Sequence, residues 1–381
     1  MLASFIFLLC SGIVLYAYVV YPCAIAWLAR GKPPLPVTAG AFRGSFTVVM
    51  AVRDEEHQVM RRIGELRGLI AASSRTGHLI VVSDGSSDGT NALLERLQDP
   101  HVQCLLLTEN VGKASAISRA CEQAQGDILV FADVRQRWDA RALDALLDAF
   151  DDAAVGAVSG ELVIEAKQGV LAGVGLYWRY EKWLRHNEGI VHSTVGVSGA
   201  ISAVRRPLFR PIPQGTLLDD VYWPMQVVMQ GWRVVHDPRA VAFDRLPADV
   251  KGEFRRKVRT LSGNFQLCTL LPQLLSPRRN PIWLQFVSHK LARLVVPWAL
   301  IGALVASALV DSPVFRALFW VQAVGYALGI LGIKQSFGGR LAAAAGSFLV
   351  MNTAAWVSFW VWLRGDDRRA WRKTQYTSPG A

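Results

Sequence analysis

A long apolar segment at the start of the chain constrains its fold more than any other feature. The residues from Leu2 to Leu28 include no charged side chain, and the basic residues Arg30 and Lys32 follow directly. A helix needs about 20 apolar residues to cross the hydrocarbon core of a bilayer. A signal peptide has basic residues before its apolar region, and this segment has none. The segment is also longer than the apolar region of a signal peptide. We therefore predict an uncleaved transmembrane anchor over residues 1–30.

The C-terminal part of the chain carries three further apolar segments. They are Leu291–Val310, Val314–Ile333 and Leu341–Leu363, separated only by short polar turns. Each has close to the about 20 residues that a spanning helix needs. We predict a C-terminal transmembrane domain of about three helices over residues 283–364 and a basic tail over residues 365–381.

The basic residues also predict an orientation. Arg30 and Lys32 flank the first apolar segment on its C-terminal side, so the region that follows should be cytoplasmic. Three further spans would place the tail outside, whereas its basic residues favour the inside, so the side of the tail stays open. The net charge of +11 fits contact with membrane lipids and phosphorylated substrates rather than nucleic acid, because the basic residues flank the apolar segments.

The region between the apolar ends reads as an α/β domain. Strand-like runs such as "SFTVVMAV", "HLIVVSD", "VQCLLLT" and "DILVFAD" alternate with helix-like patterns. This alternation predicts a mostly parallel sheet with flanking helices. Ligands bind such sheets at the carboxyl ends of the strands, so the residues just after each run are the candidates for chemistry.

Polar residues follow each of these predicted strands. Asp54 and Glu55 stand before a helix-like pattern, Asp84 and Asp88 enclose a Gly-Ser-Ser turn, and Lys113 begins another helix. Helix capping explains Asp54 and Glu55 as well as a ligand contact does, whereas the two carboxylates of Asp84 and Asp88 in so short a turn favour contact with a nucleotide. A lysine in the first turn opposes the helix dipole, and such a charge is usually a tolerated surface charge, but next to a nucleotide pocket it suggests a contact with a diphosphate.

A pair of acids opens a later helix. Asp219 and Asp220 follow the flexible stretch "PIPQGT" and precede an apolar helical pattern. Capping explains one acid at a helix start, but two adjacent acids favour a functional role.

In their order along the chain, "AVRDEE", "VSDGSSDGT", "NVGKASAI", "VFADVR" and "LLDD" resemble the motifs of membrane-bound family 2 glycosyltransferases. Cellulose, hyaluronan and chitooligosaccharide synthases are the relatives that the pattern is most similar to. The resemblance covers about Val48 to Gln266. It implies a cytoplasmic GT-A domain over residues 44–250 in a bacterial inner membrane protein. It also implies an inverting transfer from a nucleotide sugar, usually a UDP-sugar, to a growing glycan or lipid-linked acceptor.

The resemblance also assigns roles to individual residues. On the donor side it implies Val52, Glu55, Asp84, Asp88, Lys113 and Asp133. Asp133 would stand in the family's Asp-x-Asp motif, where a carboxylate helps a Mg²⁺ or Mn²⁺ ion to neutralise the diphosphate. On the acceptor side, Asp220 would be the general base with Asp219 beside it, and Ser198 and Gly199 would line the acceptor channel.

Two positions depart from the family pattern. The first is Arg135, which replaces the second acid of Asp-x-Asp. Asp133 could hold the cation with phosphate oxygens and water, Asp88 could assist it, or Arg135 could itself face the diphosphate or acceptor. We favour the first explanation.

The second departure lies in the predicted amphipathic interface region, residues 251–282. Of the family's Gln-x-x-Arg-Trp motif only Arg259 remains, with Arg256 in place of the glutamine and Thr260 in place of the tryptophan. We expect Arg259, together with Arg256, to reach the diphosphate and Arg255 to meet lipid headgroups, although all three could serve lipid alone. Loss of the tryptophan leaves processivity open.

Two other functions stay open on the sequence alone. One is transfer of a single sugar to a polyprenyl phosphate or lipid-linked oligosaccharide. The other is a nucleotide-sugar-binding membrane sensor that has lost catalysis. The sequence does not specify the sugar, the linkage, the acceptor or the oligomeric state.

Overall fold

A computed structural model describes residues 1–32, 42–165, 172–245, 250–333 and 339–365. The predicted basic tail lies outside the described residues, apart from its first residue. The first helix, α1, runs from Leu2 to Arg30. The predicted domain limits stay a prediction, because the sheet, the interface helix and the apolar helices pack together.

The central region forms one mixed sheet. Its strands are β1 (Phe46–Val52), β2 (Gly77–Asp84), β3 (Val102–Leu107), β4 (Ile128–Ala132), β5 (Arg137–Trp138), β6 (Val155–Glu165), β7 (Ile201–Arg205) and β8 (Arg233–Arg245). They lie in the order β3-β2-β1-β4-β7-β6-β8-β5. The first four strands are mutually parallel, as predicted, while β7 runs antiparallel to β4 and to β6.

Helices cover both faces of this sheet. They are α2 (Val59–Ala72), α3 (Thr90–Glu95), α4 (Lys113–Gln123), α5 (Ala142–Asp148), α6 (Ala172–Val191), α7 (Asp219–Met229) and α8 (Val250–Leu270). Three long apolar helices follow: α9 (Trp283–Leu309), α10 (Pro313–Ile333) and α11 (Gly339–Leu363).

The central strand β1 shows how the sequence builds two cores. Val48 and Met50 point to one face, where α2 and α5 pack, and Val49 points to the other, where α4 and α7 pack. Side chains alternate between the faces of a strand, so a continuous apolar run fills both cores. The second core continues into Ile282 and Phe286 at the start of α9. The first helix of the C-terminal apolar part therefore packs directly on the face of the sheet that α4 and α7 cover.

Four helices are long and apolar enough to cross a membrane, judged by length and composition. The second of them begins at Trp283, earlier than the predicted Leu291. Large apolar side chains such as Trp320 and Val321 are exposed on α10. Exposed apolar surface on this scale fits contact with lipid and indicates an integral membrane protein.

The interface helix α8 lies between the apolar helices and the second core of the sheet. The Ser262 hydroxyl donates to the Ser358 carbonyl over 3.1 Å, and the rings of Phe265 and Trp362 stack with centroids 5.3 Å apart. Both partners belong to α11. The helix is therefore packed against a membrane span on one side.

Candidate active site

The site lies where the parallel strands end. Val52 of β1 pairs with Ser83 of β2, and Met50 pairs with Ala132 of β4, so these strands end at the same edge of the sheet. A pocket opens there, and its lining residues are Lys113, Ile117, Phe131, Ala132, Asp133, Gly199, Ser202, Asp219, Asp220 and Trp223. The structure thus brings together Lys113 and Asp133, which follow predicted strands, with Gly199 and the acid pair, which the resemblance assigned to the acceptor side.

An ion pair occupies the centre of the pocket. The Lys113 ammonium donates to Asp133 Oδ1 over 2.6 Å and lies 4.0 Å from Asp219 Oδ2. Burial by itself lowers the pKa of Lys113, but the negative charges of Asp133 and Asp219 outweigh it, so the pKa is raised. The lysine therefore stays charged and holds two carboxylates together.

The Asp220 carboxyl group has a different environment. It is half-buried, and burial, followed by the charge of Asp219, raises its pKa to about 6. The cations Arg185, Lys113 and Lys290 act in the opposite direction. A carboxyl group whose pKa lies this close to neutrality can accept a proton during a reaction and release it afterwards.

A proline fixes the backbone of Asp220. Pro224 lies in α7 and has no N–H group to donate to the Asp220 carbonyl, four residues back. The N–H of Val197 donates to that carbonyl instead, over 2.8 Å. Gly196, at φ +104, permits the approach, because a Cβ there would lie 3.1 Å from the same oxygen. This tie between the loop and the helix was not predicted from the sequence.

The predicted acceptor channel lies beside this tie. A Cβ on Gly199 would lie 3.8 Å from Asp220 Cβ and 3.9 Å from Lys113 Nζ, so the glycine leaves room between the two. Ser198 is not a lining residue, and its N–H donates to the Ser159 hydroxyl over 2.9 Å. The backbone next to Asp220 is thus open to a substrate at Gly199.

Two of the predicted donor-side acids, Asp84 and Asp88, make hydrogen bonds to nearby backbone groups. Both oxygens of Asp84 accept backbone N–H groups, from Val111 at 2.7 Å and Gly112 at 3.0 Å. Asp88 accepts from the N–H of Thr90 at 2.9 Å, the hydrogen bond of an Asx-turn that leads into α3. Neither acid lines the pocket, so their contacts with a nucleotide stay predictions.

The acids of the first motif, "AVRDEE", were predicted to stand directly before a helix, but the helix begins a few residues later. Helix α2 begins at Val59, so Asp54 and Glu55 lie in the turn before it. Asp54 has φ 52, the one non-glycine residue with positive φ in the described ranges, and its carboxylate accepts the Ser87 N–H over 2.7 Å. The Val52 side chain is buried in the core. A ligand would reach Val52 through its backbone.

One of our explanations was that Arg135 faces the diphosphate or acceptor, but its observed contacts are on the side of Asp244. Its Nε and Nη2 donate to the two oxygens of Asp244 at 3.1 and 2.8 Å, and Gln136 donates to the same carboxylate at 2.9 Å. Two such parallel hydrogen bonds bind the guanidinium group of Arg135 strongly to the Asp244 carboxylate. Arg135 is not a lining residue of the pocket, and its contact with a diphosphate stays a prediction.

The arginines of α8 also lie outside the pocket lining. Arg256 and Arg259 are half-buried and Arg255 is exposed, while their predicted roles stay untested. A neighbour that the sequence did not single out has a clearer position. The amide of Gln266 accepts the Leu217 N–H at 2.9 Å and donates to the Gly215 carbonyl at 2.9 Å. The interface helix thereby holds the loop that leads into the acid pair.

Arg62 is a second residue that the sequence analysis missed. Its side chain is fully buried, and its Nε donates to the Asp133 carbonyl over 3.1 Å. Burial lowers its pKa to about 10, which still leaves it charged. It lies over the ring of Trp138, 5.2 Å from the centroid. The charged arginine supports the backbone of the pocket carboxylate from behind.

The side chains in the pocket fit a metal ion that is bound partly by substrate better than a metal ion bound by protein alone. Among the described residues there is no group of three or more His, Cys, Asp or Glu side chains that could hold a metal. Asp133 is the available pocket carboxylate of the predicted motif. Mg²⁺ commonly keeps water and needs one or two carboxylates beside substrate phosphates, so this residue fits such an ion.

The buried arginine gives a stability prediction. We expect Arg62→Met to lower the free energy of unfolding by about 2–4 kcal/mol, because it leaves the Asp133 carbonyl and Glu65 without their buried partner. Arg61→Met is the matched control, since Arg61 is exposed and, within the described part of the chain, pairs with Glu65 alone, and it should change stability by less than about 0.5 kcal/mol. Denaturation in detergent measures both, and equal effects would contradict the assignment.

Known proteins resemble this chain in sequence. Residues 47–211 match the family model "Glycosyl transferase family 2". Poly-beta-1,6-N-acetyl-D-glucosamine synthase of Staphylococcus aureus (strain COL) is 23% identical over 215 residues, covering 53% of this chain and 51% of the relative. The Staphylococcus epidermidis enzyme of that name is 23% identical over 202 residues, covering 50% and 48%. The chain thus spans about half the length of these curated relatives.

A solved structure resembles the fold as a whole. The mannosyltransferase PcManGT from Pyrobaculum calidifontis, in complex with GDP-Man and Mn²⁺, has a TM-score of 0.70 and 21% identity over 94% of this chain and 99% of its own. These comparisons confirm the resemblance to family 2 and the GT-A type of fold, and they support a glycosyltransferase as the enzyme class. Residues 47–211 therefore form a glycosyl transferase family 2 domain, built on a GT-A fold.

Proposed function

We propose that the protein is an inverting glycosyltransferase, which transfers a sugar from a UDP-sugar to a polysaccharide or lipid-linked acceptor at the membrane. The observation that carries this proposal is the Asp220 carboxyl group. It lines the same pocket as Asp133 and Lys113, and burial with Asp219 beside it raises its pKa to about 6. A binding protein without catalysis has no need of such a group.

Asp220 acts on the acceptor in this proposal. An acceptor hydroxyl lies between Gly199 and Asp220, its oxygen forms a bond to the anomeric carbon, and its proton passes to the carboxylate. The bond from that carbon to the diphosphate oxygen breaks in the same displacement, so the configuration inverts. General-base catalysis of this kind contributes roughly 10²–10⁴-fold. Asp219 supports it by helping to raise the pKa of its neighbour.

Asp133 and Lys113 act on the donor. Asp133 would hold a Mg²⁺ or Mn²⁺ ion, whose charge would stabilise the diphosphate leaving group. Lys113, now paired with Asp133, would then turn toward the diphosphate. Val52, Glu55 and Asp84 would surround the nucleotide, and Arg259 and Arg256 would approach the diphosphate from α8. A larger loss of turnover in Arg259→Ala than in Arg255→Ala would support that last contact.

The relatives support the remaining parts of the proposal. Their printed name describes a polysaccharide synthase, which favours a growing glycan as acceptor. The solved structure contains a nucleotide sugar and Mn²⁺, which favours a similar donor and ion here. The basic residues Arg30 and Lys32 follow α1 and favour a cytoplasmic position for the catalytic domain. We infer that the membrane is a bacterial inner membrane. Transfer of one sugar to a polyprenyl phosphate is the second candidate, because the interface helix packs beside a membrane span.

The base assignment predicts the effect of one substitution. We expect Asp220→Asn to lower the transfer rate at least about 100-fold, because the amide cannot accept the proton. The donor dissociation constant should change less than about threefold. Asp151→Asn, on an exposed acid of the same domain, is the control and should keep full activity. Rates and donor affinity are measured on the same detergent-solubilised samples, and an active Asp220→Asn enzyme would overturn the mechanism.

The same assignment predicts a pH dependence. The pKa of Asp220 is raised above its usual value, to about 6, and its deprotonated form is the active one. The transfer rate should therefore be level above pH 6 and fall about tenfold per pH unit below it. Stability at each pH is checked separately by thermal unfolding. A profile that stays level down to pH 4.5 in folded enzyme would contradict this prediction.

A panel of donors tests the proposal as a whole. Purified protein is incubated with UDP- and GDP-sugars, each with Mg²⁺, Mn²⁺ or a chelator, and the product is sized. We expect turnover with a UDP-sugar and a divalent ion, and a loss of at least about tenfold in the chelator. Full activity in the chelator would show that Asp133 does not act through a metal. Product length separates a polymer from a single transferred sugar.

A further inference from the structure

One turn of the interface helix α8 is held by a membrane span. The Ser262 hydroxyl donates to the Ser358 carbonyl of α11 over 3.1 Å, and the Phe265 ring stacks on Trp362 of α11 with 5.3 Å between the centroids. Ser262 and Phe265 are three positions apart along the chain, and residues at this spacing lie on one side of a helix. This side of α8 is therefore joined to α11.

The neighbouring side of the same turn contacts the loop of residues 213–218, which leads into Asp219. A Cβ on Gly263 would lie 2.6 Å from Leu218 Cγ, so the glycine allows the loop to lie directly on the helix backbone. Three positions later, the Gln266 side chain makes hydrogen bonds to the same loop. Gly263 and Gln266 thus hold the loop against the turn that α11 holds from its other side.

The Gln266 amide matches two backbone groups of this loop. The Thr216 N–H donates to the Pro213 carbonyl over 3.2 Å and closes a turn, in which Gly215 has φ +79. Gln266 Nε2 donates to the Gly215 carbonyl, and Gln266 Oε1 accepts the Leu217 N–H, each over 2.9 Å. An amide supplies a donor and an acceptor side by side, whereas a carboxylate or an alkyl side chain does not.

The loop connects these contacts to the acid pair. Leu218 is the residue before Asp219, and its carbonyl accepts the N–H groups of Val221 and Tyr222 at 3.2 and 2.9 Å in the first turn of α7. A shift of Leu218 therefore shifts that turn and both acids, which line the pocket. Transfer rates are sensitive to such shifts, because a misplacement of about 1 Å can cost roughly 100-fold.

We propose that Gln266 and Gly263 position the proposed general base, Asp220, from the membrane side, so that the placement of α11 in the bilayer sets the rate of transfer. The inference rests on the proposed function, because it concerns the same base. Gln266 is a positioning residue in this account, since it acts on Asp220 through the loop. A bilayer that changes the tilt or depth of α11 would then change turnover and leave donor affinity unchanged.

Removal of the amide tests the positioning role in full-length protein in nanodiscs. We expect Gln266→Leu to lower kcat at least about tenfold, and to change the KM and the dissociation constant for the UDP-sugar by less than about threefold. Gln230→Leu is the matched control, because Gln230 Nε2 donates to the Leu208 carbonyl over 3.0 Å at the opposite end of α7. It should change kcat by less than about twofold, since a misplacement there lies far from the base. An unchanged kcat in Gln266→Leu would overturn the inference.

Gly263→Ala tests the second contact and keeps both hydrogen bonds of Gln266 in reach. Alanine favours a helix over glycine by about 1 kcal/mol, so helix propensity predicts no loss of stability. The added methyl group must displace Leu218, however. We expect a loss of kcat of at least about fivefold in protein that binds the UDP-sugar normally, and a normal kcat would contradict the inference.

A double-mutant cycle tests whether the span acts through this loop. Trp362→Ala removes the ring that stacks on Phe265 and should lower kcat about fivefold in the wild-type background but less than about twofold in Gln266→Leu, where the loop is already released. Trp320→Ala, on an exposed ring of α10, is the control and should leave kcat unchanged. Additive losses in the double variant would overturn the link between α11 and the base.

The outcomes for the base and for its positioning are distinguishable. If Asp220→Asn is inactive and Gln266→Leu keeps its kcat, the inference fails and the proposed function stands. If Asp220→Asn is active, the proposed mechanism fails, while the cycle between Trp362 and Gln266 still decides whether the span and the loop are coupled.

Discussion

The pairing of β1 with β2 on one side and β4 on the other determines where this protein can do chemistry. Because all three strands are parallel, their carboxyl ends meet at one edge of the sheet. Asp84 and Asp133 stand at two of these ends. Lys113 begins the helix after β3 and reaches the same edge, where it pairs with Asp133. The other parts of the pocket are arranged around this ion pair.

The parts that follow from local patterns could be predicted from the sequence. Apolar runs predicted the parallel strands and the candidate spans, and the rule of strand ends predicted that Lys113 and Asp133 lie at one edge. The acid pair was assigned to the same site by the resemblance to family 2. Contacts between distant segments could not be predicted. The partner of Arg135 is Asp244, and Arg62 supports the Asp133 carbonyl, because of how the elements pack. A motif shows which residues are polar, whereas packing decides which side chain each of them meets.

A buried polar cluster joins the membrane part to the catalytic part. Glu188 of α6 contacts Tyr21 of α1 and His289 of α9, and all three are buried. Breaking a buried, hydrogen-bonded charge pair costs about 3–5 kcal/mol, far more than loss of a surface pair. Such contacts demand defined geometry. The cluster therefore fixes the orientation of the sheet relative to the two membrane helices. Apolar contacts alone would not fix it, because they are not directional.

The Asp220 carbonyl, which receives no hydrogen bond from Pro224, has a consequence for the geometry of the site. Through the 2.8 Å hydrogen bond from Val197, the first turn of α7 is joined to the loop that leads to Gly199. The Ser198 N–H of the same loop donates to Ser159 of β6, so the loop is also joined to the sheet. The spacing between Gly199 and Asp220 is therefore set by hydrogen bonds to two separate elements and does not depend on the helix alone.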